Sequence, residues 1–270
     1  SVKPETFPTI PQALLLVLAL FLLQVLVQAV LGDLRNVLDL TTGELMAFTT
    51  LLGNGLVLAT LMHWKSMSYR DLFNPSGASF MSSAVLVGMP VVATVPMLVM
   101  TGAVLEELLT QILPMSAWEQ RVFEEMAAQN LANVTAVCLL APVLEEMLFR
   151  GLILRSFLGQ YPRSTAIGAS ALLFGVAHLN IYQFVAAFAI GLLLGWLYER
   201  TRSLVPCIAL HGAYNTSVTV LGVSDQTVAF DTSTWFVSAA FAAAGGYALY
   251  RLLGTRSAPA PRNPDSRANN

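Results

Sequence analysis

The chain has 270 residues, is 56% hydrophobic and only 11% charged, and its 14 Lys and Arg against 16 Asp and Glu leave a net charge of -2. A soluble domain is about one quarter charged, so a water-soluble globule and a disordered chain are excluded, and the charge balance excludes a nucleic-acid binder. What remains is an all-α polytopic membrane protein.

Charge-free runs predict eight transmembrane helices, near 11–32, 45–63, 80–103, 131–153, 164–179, 181–198, 204–222 and 233–253. The first run is longer than the apolar region of a signal peptide, and its best small-residue site, Val27-Gln28-Ala29, is poor, so it reads as a retained helix. Thr41-Thr42-Gly43-Glu44 fits a capping box opening the second helix. Pro90 and Pro96 fall inside the third span and Pro142 inside the fourth, where prolines kink helices.

Ser116-Ala117-Trp118-Glu119 fits a second capping box. In the stretch it opens, Ala117–Gln129, Trp118, Val122 and Met126 recur at four-residue spacing among Glu119, Glu124 and Glu125, which reads as an amphipathic helix on the membrane interface. Ser164–Tyr198 has 35 residues. As one helix it would reach about 52 Å, so a break is expected at His178-Leu179-Asn180. Pro162 and Pro206 stand near helix starts, where proline is tolerated, and Gly191 with Gly195 allows close helix contact. Cys138 and Cys207 lie in apolar stretches without zinc spacing and read as small buried residues. The chain thus divides into 1–130, with three helices and the interfacial one, a helical core at 131–256, and a polar, Pro-rich tail at 257–270 expected to be disordered.

With a cytoplasmic N-terminus, eleven Lys and Arg fall on the inner side and two, Arg35 and Arg121, on the outer side. The positive-inside rule then puts both termini in the cytoplasm and turns an acidic 106–125 loop outward. Arginine outnumbers lysine 12 to 2, a codon-bias hint of a bacterial source and hence of a bacterial inner membrane.

Charges at membrane depth are costly and need a reason. The fourth span carries Glu145, Glu146 and Arg150; Glu146 and Arg150 are four residues apart and pair on one face, leaving Glu145 free. The fifth ends at Phe174-Gly175-Val176-Ala177-His178, and the seventh holds His211 and Asn215 one turn apart. At helical rise from the cytoplasmic edges, Glu145 lies about 18 Å deep, His178 about 21 Å, His211 about 12 Å and Asn215 about 18 Å. Three stretches therefore bring Glu, His, His and Asn to a common level. His63, beside Trp64 and Lys65 at a helix end, reads as interfacial.

In this order and spacing, Glu145-Glu146-xxx-Arg150, Phe174-xxx-His178 and His211-xxx-Asn215 resemble the three motifs of the CPBP family. These are the CAAX-protease and bacteriocin-processing (Abi) intramembrane proteases. The resemblance covers roughly 130–220, and the family includes CAAX prenyl endopeptidases and sorting enzymes called myxosortases. It implies a glutamate-type endopeptidase acting on a membrane-anchored protein or peptide, with its catalytic core in helices four to seven. Glu145 would then be the general base that activates water, His178 would hold that water, and His211 with Asn215 would bind the oxyanion. Glu146 and Arg150, with Phe174, would support the site, or Glu146 would share the proton transfer. No cofactor is expected. A zinc variant would use Glu145, His178 and His211, although no His-Glu-xx-His pair is present and Asn is a poor zinc ligand. Cys138, Ser170 and Ser217 lack the partners of a nucleophile. Two other functions use intramembrane Glu and His. One is a proton-coupled transporter, for which no inverted repeat is visible; the other is a non-enzymatic bacteriocin-immunity or scaffold protein.

Overall fold

A computed structural model describes residues 7–75, 79–127, 130–221 and 230–254, and every regular element among them is a helix. The 257–270 tail lies outside the described residues. Helix α1 (Ile10–Leu38) and α2 (Thr42–Trp64) pair through a short turn, with Thr41 capping α2 as its sequence dictates. A Cβ on Gly53 would stand 2.5 Å from Gln24 Cγ, so this glycine lets α2 close onto α1. The short α3 (Tyr69–Phe73) leads to α4 (80–92) and α5 (Val95–Ile112).

The predicted 80–103 helix is therefore two helices, broken at Ala93-Thr94. Pro96 has no N–H to continue the ladder from α4, but in the first turn of α5 none is needed. The Thr94 hydroxyl donates to Val91 O at 2.6 Å across the break. Helix α5 runs to Ile112, so Glu106 and Glu107, expected in an outward loop, are helical.

The helix expected over Ala117–Gln129 is present as α6 (Ala117–Ala127), with Ser116 and Glu119 forming its capping box and Trp118 exposed. Helix α7 is a continuous rod over 131–160, longer than the predicted 131–153. Its last turns are held because Ser156 and Gln160 both donate to Pro8 O. It widens to i→i+5 turns at Ala136–Leu140 and Met147–Leu154, on either side of the Glu145-Glu146 pair.

Then come α8 (Arg163–Val176), α9 (Ile181–Thr201), α10 (Val205–Leu221) and α11 (Thr232–Leu253). The break between α8 and α9 falls where the sequence placed it: Leu179 adopts φ 53°, and the Asn180 side chain accepts from Tyr182 N and Gln183 N to start α9. Helix α8 stops at Val176, so His178 sits in the turn rather than in the helix.

By length and composition α1, α2, α5, α9 and α11 are each able to cross a membrane, which makes this a multi-pass membrane protein. Exposed leucines on α1, among them Leu14, Leu15, Leu22 and Leu26, are the surface such a helix gives to lipid. Leu148, Ile153, Leu154 and Phe157 of α7 pack with Leu194, Leu197 and Tyr198 of α9 and Leu210 of α10 in the buried core. One end of the bundle gathers four chain segments. Lys65 donates to Phe7 O, Arg155 to Asp71 O, Leu204 N to Phe73 O, and Arg163 pairs with Glu199 at 3.0 Å.

Small residues set the α8–α9 contact: a Cβ on Gly195 would lie 2.9 Å from Ile167 Cγ2. Gly195→Val is therefore expected to cost about 1–3 kcal/mol by overpacking, read as a lowered Tm in detergent. An unchanged Tm would show that the helices part there without loss.

Candidate active site

The widened turns of α7 set up the site from the backbone. Pro142 has no N–H, so the carbonyls one turn earlier, Val137 O and Cys138 O, lack their partner from that residue. Helix α10 covers both. Asn215 Nδ2 donates to Val137 O at 2.9 Å, and a Cβ on Gly212 would come within 3.4 Å of Cys138 O. The proline thus creates the acceptor that fixes α10 against α7.

One turn further on, Glu146 and Arg150 are fully buried and paired, with Arg150 Nη1 2.8 Å from Glu146 Oε1. The same carboxylate oxygen lies 2.9 Å from His211 Nδ1. Arg150 Nη2 also donates to Gly191 O on α9 at 3.3 Å, and its guanidinium stands 4.3 Å from the centre of the Phe174 ring. The buried pair therefore holds His211 rather than its sequence neighbour Glu145. Glu145, partly exposed, points into the cavity, with Oε2 3.9 Å from His211 Nε2.

Phe174 is the hub on α8. Its ring meets His178 edge-on at 5.1 Å and His211 at 5.5 Å between centroids. His178 Nδ1 lies 2.9 Å from Phe174 O. A carbonyl only accepts, so Nδ1 carries the proton and Nε2 is the free nitrogen. His211 Nδ1 likewise faces a carboxylate, leaving Nε2 toward Glu145.

Glu145, Phe174, His178, His211 and Asn215 all line one cavity of about 340 Å³. The predicted site residues thus surround one space, with Glu146 and Arg150 behind its wall. Among the described residues no three His, Cys, Asp or Glu side chains gather as metal ligands. Sequence reasoning did not find Glu106, Asn54, Tyr182 and Tyr214, which line the same cavity. The signal for Glu106 was its closeness to an apolar run, but a search for charge-free runs ends each span at the first acid.

Residues 127–217 match the family model described as Type II CAAX prenyl endopeptidase Rce1-like. Over this segment the chain is similar to the CPBP family of intramembrane proteases, to which that description points. No curated protein and no solved structure matches the chain. The CPBP match covers about a third of the chain and contains every predicted site residue from Glu145 to Asn215. Glu106 and Asn54 lie outside it.

Arg150→Met would leave the Glu146 carboxylate buried without its cation. It is expected to lower stability by about 3–5 kcal/mol. The double variant Glu146→Gln/Arg150→Met should recover a large part of that loss, because neither charge is then stranded. Unfolding in detergent checks both; equal losses in the single and double variants would mean that the pair is not a buried charge couple.

Proposed function

We propose that the chain is an endopeptidase that hydrolyses a peptide bond in a membrane-associated protein by water activated at Glu145. The observation that carries the reading is the convergence of the Glu145 carboxyl and the two imidazoles on one cavity inside a CPBP-type segment. A water between Glu145 and His178 Nε2 gives one proton to the carboxylate and one hydrogen bond to the imidazole while its oxygen attacks the carbonyl carbon. In the imidazolium form, which cancels the net negative charge of Glu145, Glu146 and Arg150, His211 donates Nε2–H to the oxyanion. The second amide N–H of Asn215 adds to this, its first being used on Val137 O. Collapse breaks the C–N bond, and Glu145 returns its proton to the leaving amine. Glu146 acts by orienting His211. This scheme uses no cofactor.

The topology proposed with it has both termini in the cytoplasm of a bacterial inner membrane. Support comes from the bundle end where segments carrying Lys65, Arg155, Arg163 and Arg200 meet.

Glu145→Ala, His178→Ala and His211→Ala should each lower cleavage about a hundredfold or more while the protein still inserts. The assay compares the termini of membrane proteins in cells carrying wild-type or variant chain. Full activity in all three variants would overturn the protease reading. Dialysis of the purified protein against a strong chelator should leave cleavage intact; loss restored by zinc would replace the metal-free scheme with the Glu145, His178 and His211 zinc set.

A further inference from the structure

Helices outside residues 127–217 also line the cavity, and among the described residues the one carboxylate they bring to it, Glu106, has no counter-charge. Among the described residues that line it, the carboxylates are Glu145 and Glu106, and there is no Lys or Arg. Glu145 has His211 beside it. Glu106 on α5 forms no hydrogen bond or ion pair with another described residue. A carboxylate at membrane depth with no cation beside it is costly, and a partner that brings one recovers the cost.

The surroundings of Glu106 fit a cation. Tyr214 and Tyr182 line the main cavity with it, and the three also line a small side pocket of about 30 Å³. A Cβ on Gly102 would stand 2.8 Å from the Tyr214 hydroxyl, so that ring rests against α5 one turn before Glu106 and on the same face. Tyr182 comes from α9, held by its hydroxyl to Leu113 O at 2.7 Å. Aromatic rings beside a carboxylate are the chemistry that takes a guanidinium or an ammonium group.

A second, independent side chain points the same way. Asn54 on α2 is 3% exposed and lines the cavity. Its Nδ2 donates to Thr50 O at 3.0 Å, while its Oδ1 has no hydrogen-bond partner. A buried acceptor left open in a cavity wall waits for a donor from the occupant.

We propose that Glu106, with Tyr182 and Tyr214, forms a recognition subsite for one basic side chain, Arg or Lys, of the peptide substrate, and that Asn54 offers the same occupant's backbone an open acceptor elsewhere in the cavity. This rests on the cavity being the site of peptide hydrolysis. Helix α5 then supplies the charge that selects the substrate, while α9 and α10 of the CPBP-like segment supply the aromatic rings beside it. The subsite differs from the catalytic group in kind, because it binds a charge that does not change during the reaction.

The test separates binding from cleavage. The full-length chain carrying Glu145→Gln is placed in lipid nanodiscs. It is titrated with fluorescent apolar peptides identical but for Arg, Gln or Glu at one position, walked along the peptide. At one position the Arg peptide is expected to bind about tenfold tighter than the Gln peptide or better, with the Glu peptide weakest. Adding Glu106→Gln, an isosteric change, should bring the Arg and Gln peptides within about twofold. Equal binding of Arg and Gln peptides at every position overturns the subsite, as does a preference that survives Glu106→Gln or a set in which no peptide binds. Cleavage of the same peptides by the unmutated chain is read separately. Arg preference without cleavage leaves the subsite standing and removes the protease reading; cleavage without Arg preference does the reverse.

Discussion

Glu146 Oε1 takes two donors at once, Arg150 from its own helix and His211 from α10, in a place with no solvent contact. Arg150 in turn reaches the Gly191 carbonyl on α9 and lies over the Phe174 ring of α8. One buried ion pair therefore ties four helices together. Both charges stand on α7, so moving α8, α9 or α10 leaves the pair together but strips a ring contact or a hydrogen bond from an ion that costs several kcal/mol to bury. The imidazole of His211 inherits that rigidity, and its free nitrogen is aimed at Glu145 by a partner that does not itself face the cavity.

A second constraint acts on the same helix through the backbone. Pro142 withdraws one N–H from α7, and the exposed carbonyls would be unsatisfied inside a membrane. Asn215 Nδ2 of α10 donates to Val137 O, and Gly212 lets α10 lie close against Cys138 O. The two ties, one electrostatic and one backbone, stand on either side of Glu145. They explain how a carboxylate without a tight hydrogen-bond partner of its own keeps a defined place beside His211 on the cavity that His178 also lines. They also give Asn215 a structural duty beside the chemical one proposed for it.

Much of the site was readable as a sequence because intramembrane charge is rare and must be accounted for. The i,i+4 spacing gave the Glu146–Arg150 pair, and rise per residue brought Glu145, His178, His211 and Asn215 to one depth. The criterion that finds spans also hides acids. Cutting each run at its first charge stopped the third helix short and left Glu106 in a loop, although α5 carries it inward past Tyr214. The 80–103 break was half legible: Pro96 announced a distortion, but whether a proline kinks a helix or starts a new one depends on what the freed carbonyls meet. Helix α7 outran its prediction because its last turns are fastened to Pro8, more than a hundred residues away.

By itself the sequence determined the membrane class, the α8–α9 break at Leu179 and Asn180, the helix caps and the identity of the polar residues within the apolar runs. Each of these rests on local physics: transfer of apolar residues, capping by side-chain oxygens, and the cost of buried charge. Only the tertiary structure decided which partner Glu146 holds, that Asn215 answers a carbonyl opened by Pro142, and that Glu106 and Asn54 face the same cavity as Glu145. Those relations join helices distant in the chain, and no periodicity within one helix encodes the distance between two.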